Sequence, residues 1–137
     1  MVIHMKKIAV LGFGTVGSGV VEVISTGSFL QKAGDDLEVK AILDLREFPE
    51  SPFAGIITND YESILNDGEI DIIVETMGGV NPAFDFSMRA LKLGKSVVTS
   101  NKELVAAKGA TLLRTARENG VSYLFEASVG EIGRAHV

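Results

Sequence analysis

Short apolar runs alternate with longer stretches of helical period along most of this chain. Ile8-Ala9-Val10-Leu11 is a continuous apolar run that ends in glycine. Such a run fits a central parallel strand covered on both faces. Val16, Val20, Val23 and Ile24 then recur at helical spacing and predict a helix from Thr15 to Thr26. Leu37, Val39, Ala41 and Leu43 alternate with Glu38 and Lys40, the pattern of a second strand. Pro49, Pro52 and Gly55 mark residues 45–58 as a loop. Asn59 followed by Glu62 reads as a capping box for a short helix over 60–66. Ile70 to Val74 predicts a third strand. Asn81-Pro82 reads as an N-cap and first-turn proline, opening a helix that stops at Gly94 with Phe84, Met88 and Leu91 on one face. Ser96 to Thr99 predicts a fourth strand and Val121 to Phe125 a fifth. Between them Glu103 to Asn119 reads as a helix interrupted near Gly109 and capped by Gly120.

Strands alternating with helices imply βαβ units with right-handed crossovers. The predicted fold class is α/β: a Rossmann-type, doubly wound, mostly parallel sheet with helices on both faces. In such sheets ligands bind beyond the carboxyl ends of the strands. The residues at those ends therefore carry the functional reading.

The first strand runs into Gly12-Phe13-Gly14-Thr15-Val16-Gly17, a G-x-G-x-x-G between a buried strand and an amphipathic helix. Gly12 suits a tight turn, Gly14 the close approach of a pyrophosphate, and Gly17 tight helix–strand packing. The helix start offers N–H groups and a positive dipole end to phosphates. The competing reading is a structural turn. Asp44 ends the second strand, where an acid can accept from ribose hydroxyls or stand as a solvated loop charge. Arg46 is either a partner for a ribose 2′-phosphate or a solvated charge; Asp44 thus argues for NAD, while Arg46 keeps NADP open. The third strand ends in Glu75-Thr76-Met77-Gly78-Gly79, where two glycines let backbone approach a flat ligand or simply turn. The fourth ends in Thr99-Ser100-Asn101-Lys102. Asn101 can cap the following helix. A lysine in its first turn opposes the helix dipole, which favours a functional reading over a surface one. Glu126, after the fifth strand, is a metal or substrate ligand or the polar end of a strand.

Composition narrows the class without changing this picture. The 137 residues suit one domain. A net charge of −5 without a basic stripe argues against nucleic acid as a partner. There is no cysteine, and His4 and His136 lie at opposite ends, so neither a disulfide framework nor a zinc cluster is expected. No apolar run reaches the ~18 residues of a membrane span. The start, MVIHMKKIAV, lacks a secretory core and cleavage site, so a cytoplasmic setting without membrane contact is expected. Residues 1–5 read as an upstream extension, since the regular pattern begins at Lys6.

The stretches "IAVLGFGTVGSGVV", "LNDGEIDIIVETMGG", "GKSVVTSNKELVAAKG" and "YLFEASVG" together resemble the N-terminal cofactor domain of homoserine dehydrogenase. The glycine fingerprint is shared by many dehydrogenases, whereas Glu-Thr-Met-Gly-Gly, Thr-Ser-Asn-Lys and Phe-Glu-Ala-Ser-Val-Gly in this order are much more specific. The resemblance implies NAD(P)-dependent interconversion of L-homoserine and L-aspartate 4-semialdehyde, in the route to threonine and methionine. It implies cofactor contacts from Gly12, Phe13, Gly14, Thr15, Val16, Gly17, Asp44, Thr76, Met77, Gly78, Gly79, Ser100, Asn101 and Lys102. It assigns Lys102 to proton transfer at the substrate oxygen. It also implies a monovalent cation, sodium or potassium, at Glu126 and Val129. A small amino-acid substrate and a homo-oligomer formed through a further domain are implied for the parent enzyme.

Two departures bear on these expectations. Many relatives carry an arginine just before the acid of the second strand, serving NADP; Leu43 stands there. After Gly130 the family continues into a substrate domain, whereas this chain reads Glu131-Ile132-Gly133-Arg134-Ala135-His136-Val137. The codons GAG ATC GGA AGA GCA CAC GTC encode that tail and match a widely used short-read sequencing adapter. The expectation is therefore a dinucleotide-binding domain over 1–130, a non-native tail over 131–137, no substrate domain, and little turnover from the fragment. The competing functions are another Rossmann-type amino-acid or semialdehyde oxidoreductase, or a non-catalytic nucleotide-binding module.

Overall fold

The apolar run at residues 8–11 lies at the middle of the sheet. The structure, a computed structural model, describes residues 5–26 and 36–125. Its strands are β1 (Met5–Leu11), β2 (Asp36–Leu43), β3 (Ile57–Thr58), β4 (Ile70–Glu75), β5 (Ser96–Thr99) and β6 (Tyr123–Phe125). The helices are α1 (Thr15–Thr26), α2 (Tyr61–Leu65), α3 (Ala83–Lys92) and α4 (Lys102–Glu118), with a 3-10 turn at Ala54–Ile56. The six strands form one sheet in the order β3-β2-β1-β4-β5-β6. Every pairing is parallel. The chain leaves β1 in one direction and returns to its other side at β4. This order is that of the doubly wound dinucleotide-binding sheet, with its switch point between β1 and β4.

Alternation along β1 divides the core in two. Ala9 and Leu11 join Ile73 and Val97 beneath α2, α3 and α4. Ile8 and Val10 join Ile42 and Val74 beneath α1. Both faces of the central strands are thus covered, which is why they read as unbroken apolar runs.

The second strand departs from simple alternation. Val39 pairs with Ile8 and Ala41 with Ala9, so Lys40 is an extra residue in the ladder. Such a bulge exchanges the faces of everything after it. Leu37 and Val39 therefore pack on the α1 side, whereas Ala41 and Leu43 pack on the opposite side. The Lys40 ammonium is held outside by Asp67 (2.6 Å) and Glu69 (2.7 Å).

Several local expectations need correction. The stretch predicted as a loop, 45–58, contains the 3-10 turn and the edge strand β3. The cap of α2 is Asp60, not Asn59: its side chain accepts from Glu62 N at 3.1 Å. Asn81 does not cap α3; Pro82 occupies that position, and Phe84 N instead donates to the Val80 carbonyl at 2.8 Å. The most buried stripe of α3 is Ala83, Ser87, Ala90 and Leu91, with Phe84 and Met88 beside it. Gly109 does not interrupt α4. The burial of Leu104, Leu112 and Ala116 on the same helix outweighs a glycine penalty of about 1 kcal/mol.

Candidate cofactor site

The three glycines of the first turn have different reasons to be glycine. Gly12 has φ +98°, and its N–H donates to the Leu43 carbonyl at 2.8 Å, turning the chain off the sheet. Gly17 sits in the first turn of α1 against the strand end. A Cβ there would lie 1.8 Å from the Gly12 carbonyl oxygen and 2.8 Å from Thr76 Oγ1. Gly14 has neither constraint. A Cβ on it would meet only Arg46 Nη2, at 4.0 Å. Packing does not require glycine at 14, whereas close approach of a phosphate to its backbone would. Phe13 anchors the loop, its ring edge-on to Phe48 (5.1 Å) and Phe53 (6.3 Å). Thr15 opens α1, and Val16 packs on its core side.

Asp44 leaves β2 beside this turn. Its Oδ2 accepts from Phe13 N (2.9 Å) and Arg46 Nη2 (3.0 Å). Its Oδ1 accepts from Arg46 N (2.9 Å) and Arg46 Nε (3.1 Å). The Arg46 guanidinium holds the carboxyl down at about 2, against partial burial and with help from the two backbone donors. A carboxylate offers about four lone-pair sites, and all are taken. The expected acceptor for ribose hydroxyls is therefore saturated as it stands. Arg46 also lies over the Phe48 ring at 5.1 Å, yet 65% of its side chain is exposed.

The loop after β4 is tied to the glycine turn. Thr76 Oγ1 donates toward the carbonyls of Leu11 (2.9 Å) and Gly12 (3.1 Å), and Thr76 N donates to Leu11 O at 3.0 Å. Gly78 and Gly79 both have positive φ, +79° and +73°. Behind them lies Glu75, fully buried. Its Oε1 accepts from Thr99 Oγ1 (2.7 Å) and its Oε2 from Met77 N (2.7 Å). Asn101 is buried and caps α4: its Oδ1 accepts from Leu104 N at 3.0 Å. Its Nδ2 donates to the Gly79 carbonyl at 2.6 Å and approaches Glu75 Oε2 at 3.5 Å. Ser100 N donates to the Glu75 carbonyl at 3.3 Å. Lys102, the first residue of α4, is exposed.

A cleft of about 480 Å³ opens between these elements, with Gly12, Gly14, Asp44, Thr76 and Met77 on its walls. Its far wall is Tyr61 and Phe86, stacked at 4.2 Å, with the Tyr61 hydroxyl donating to the Phe86 carbonyl at 2.7 Å. Burial raises the Tyr61 phenol, so that donor stays protonated. Of the expected contacts, Gly12, Gly14, Asp44, Thr76 and Met77 line this cleft, whereas Phe13, Thr15, Val16, Gly17, Gly78, Gly79, Ser100, Asn101 and Lys102 stand on the same rim outside it. Glu126 and Val129, the expected cation ligands, lie outside the described residues. Glu75 and the Tyr61–Phe86 wall were not among the expected site residues. A charged residue directly after the apolar run Ile72-Ile73-Val74 was the available signal for the first. The wall joins residues distant in sequence and has none.

Residues 12–126 match the family model for the NAD-binding domain of homoserine dehydrogenase. The chain belongs to that family. It is 36% identical over 128 residues to homoserine dehydrogenase of Bacillus subtilis (strain 168), covering 90% of this chain and 30% of the relative. The crystal structure of S. aureus homoserine dehydrogenase at pH 8.5 superposes with a TM-score of 0.81 at 41% identity, covering 92% of this chain and 33% of that one. A hyperthermophilic archaeal homoserine dehydrogenase in complex with NADPH superposes with a TM-score of 0.74 at 25% identity, covering 91% of this chain and 44% of that one. The chain thus spans about a third of the homoserine dehydrogenases it matches, and that third is the dinucleotide-binding part. Among the described residues, no helix is long and apolar enough to cross a membrane.

Proposed function

We propose that this chain supplies the dinucleotide site of an NAD(P)-dependent oxidoreductase that interconverts L-homoserine and L-aspartate 4-semialdehyde. The observation that carries the reading is Gly14. It is a glycine that the fold does not need, at the start of a helix and on the wall of a cleft. Backbone N–H groups of the first turn of α1 would hold the pyrophosphate. Thr76 to Gly79 would border the dinucleotide, and Asn101 sets the start of α4. Bound there, the cofactor supplies a nicotinamide ring that exchanges a hydride with the substrate carbon. Lys102 Nζ is the chain's candidate to exchange the matching proton with the substrate oxygen. Arg46 favours NADP(H). Asp44 has no free acceptor for a ribose diol, whereas Arg46 is largely exposed beside the glycine loop and retains unused donors.

The amino-acid substrate, a homo-oligomeric parent, a cytoplasmic setting and a cation bound through Glu126 and Val129 belong to the same reading. Low turnover is expected from these 137 residues alone, because they span about 30% of the relatives' length. Thermal melting with NAD⁺ and NADP⁺ in parallel tests the proposal. A ligand bound only by the folded state raises stability by RT ln(1 + [L]/Kd). Both cofactors should raise the melting temperature, NADP⁺ at lower concentration. No shift with either would refute the site, and brisk homoserine oxidation by the chain alone would refute the low-turnover expectation.

A further inference from the structure

Glu75 is a fully buried carboxylate at the last position of β4, directly after the apolar run Ile72-Ile73-Val74. No described cation pairs with it. A strand end that only had to pack would be filled by valine or leucine without the cost of desolvating a charge. What Glu75 does instead is receive donors from three different segments. These are the N–H of Met77 in the glycine loop, the hydroxyl of Thr99 at the end of β5, and the amide of the α4 cap, Asn101. Thr99 Oγ1 in turn accepts from Asn101 N at 3.0 Å, and the Asn101 amide reaches the Gly79 carbonyl at 2.6 Å. The chain of bonds closes on itself: glycine loop, Glu75, Thr99, Asn101, glycine loop.

We propose that Glu75 is the positioning residue for the nicotinamide half of the dinucleotide, fixing the 76–79 loop and the start of α4 that carries Lys102 as one unit. This rests on the dinucleotide reading above and adds to it which half of the cofactor depends on the buried network. In that reading the adenosine and pyrophosphate half is held by Gly12 to Gly17 and by Arg46, and the Glu75 side chain makes no hydrogen bond to any of these.

The test compares matched probes on the 137-residue chain: NADPH against 2′-phospho-ADP-ribose, and NADH against ADP-ribose. Each pair differs only by the nicotinamide. E75Q keeps the shape but presents an NH₂ where one oxygen accepted, so one of the donors loses its acceptor. It should weaken the dinucleotides about tenfold and leave the nicotinamide-free probes within about twofold. T99V, which removes the hydroxyl from the network, should act in the same direction. T99S should restore binding relative to T99V. These two variants carry the test if E75Q does not fold. Equal weakening of both members of a pair, or unchanged dinucleotide binding, overturns the positioning role. A wild-type chain that binds the nicotinamide-free probes as tightly as the dinucleotides overturns it too, yet leaves the glycine-loop site intact. A wild-type chain that binds none of the four probes sinks the dinucleotide reading and this proposal with it.

Discussion

Asp44 joins the turn after β2 to the glycine loop, and its charge makes the joint pH-dependent. Arg46 lowers its folded-state pKa to about 2 from an ordinary 3.8, against the opposing effect of burial. A depressed carboxylate stabilises the fold fully above its unfolded pKa and loses that contribution as pH falls through the folded value. The window here runs from about pH 4 down to about pH 2. Arg46 is exposed and screened, so the contribution is on the order of 1 kcal/mol. Asp67 and Glu69 are also lowered, by Lys40 first, and lose stability in the same direction. Comparison with D44N removes that shared background. Urea melts between pH 2 and 7 should show D44N less stable at neutral pH and the two proteins converging in the acid window. A gap that stays constant with pH would show that Asp44 contributes through shape alone.

At the scale of elements, the β1–α1 junction separates a glycine that the fold requires from one that it does not. G17A would drive a Cβ into the Gly12 carbonyl, which cannot yield without moving α1 off the sheet. G14A meets nothing closer than Arg46 Nη2 at 4.0 Å. Circular dichroism and thermal melting should therefore show G17A severely destabilised and G14A nearly unchanged, while cofactor titration should show G14A weakened. A G14A protein that binds as well as wild type would remove the main support for the site. The sequence could reveal the turn at Gly12 and the tight packing at Gly17 because each depends on local spacing. It revealed the central strands for the same reason: two covered faces make residues 8–11 of β1 and 72–74 of β4 continuous apolar runs. It could not reveal the bulge at Lys40, because the pattern Leu37, Val39, Ala41, Leu43 looks the same whether or not the ladder slips. Nor could it reveal β3, whose two residues become a strand only by pairing with Ile42 and Leu43. Asp60 took the cap of α2 from Asn59 by one position, a choice set by the turn entering the helix. At the site, the glycines and Asn101 were legible as types in order. The closed network around Glu75 was not, since it joins strand ends that only the parallel register brings together.

For the molecule as a whole, the two rims of the sheet differ in what they leave available. On the amino-end rim, several charged groups are already engaged. Lys40 pairs with Asp67 and Glu69, and Lys7 with Glu69 at 2.9 Å. Lys95 is buried, its ammonium donating to the carbonyls of Asp67 (2.7 Å) and Ile70 (2.8 Å). The carboxyl-end rim leaves donors open: the first turn of α1, the outer edge of Arg46, and Lys102, which no described side chain pairs. An anionic ligand with a flat ring therefore has one rim to bind, and it must touch segments far apart in sequence. Hydrogen exchange with and without NADPH reads this directly. Protection should rise together over residues 12–18, 76–80 and 100–105, and stay unchanged over 36–40, 66–70 and 94–96. The central residues 8–11 and 72–74 should exchange slowest in both states, because both their faces are covered. Protection confined to 12–18 would mean that only the phosphates are held and that the Gly78-Gly79 and Lys102 side of the rim takes no part. Protection on the amino-end rim would place the ligand where the charges are already spent, and would overturn the assignment of the cleft.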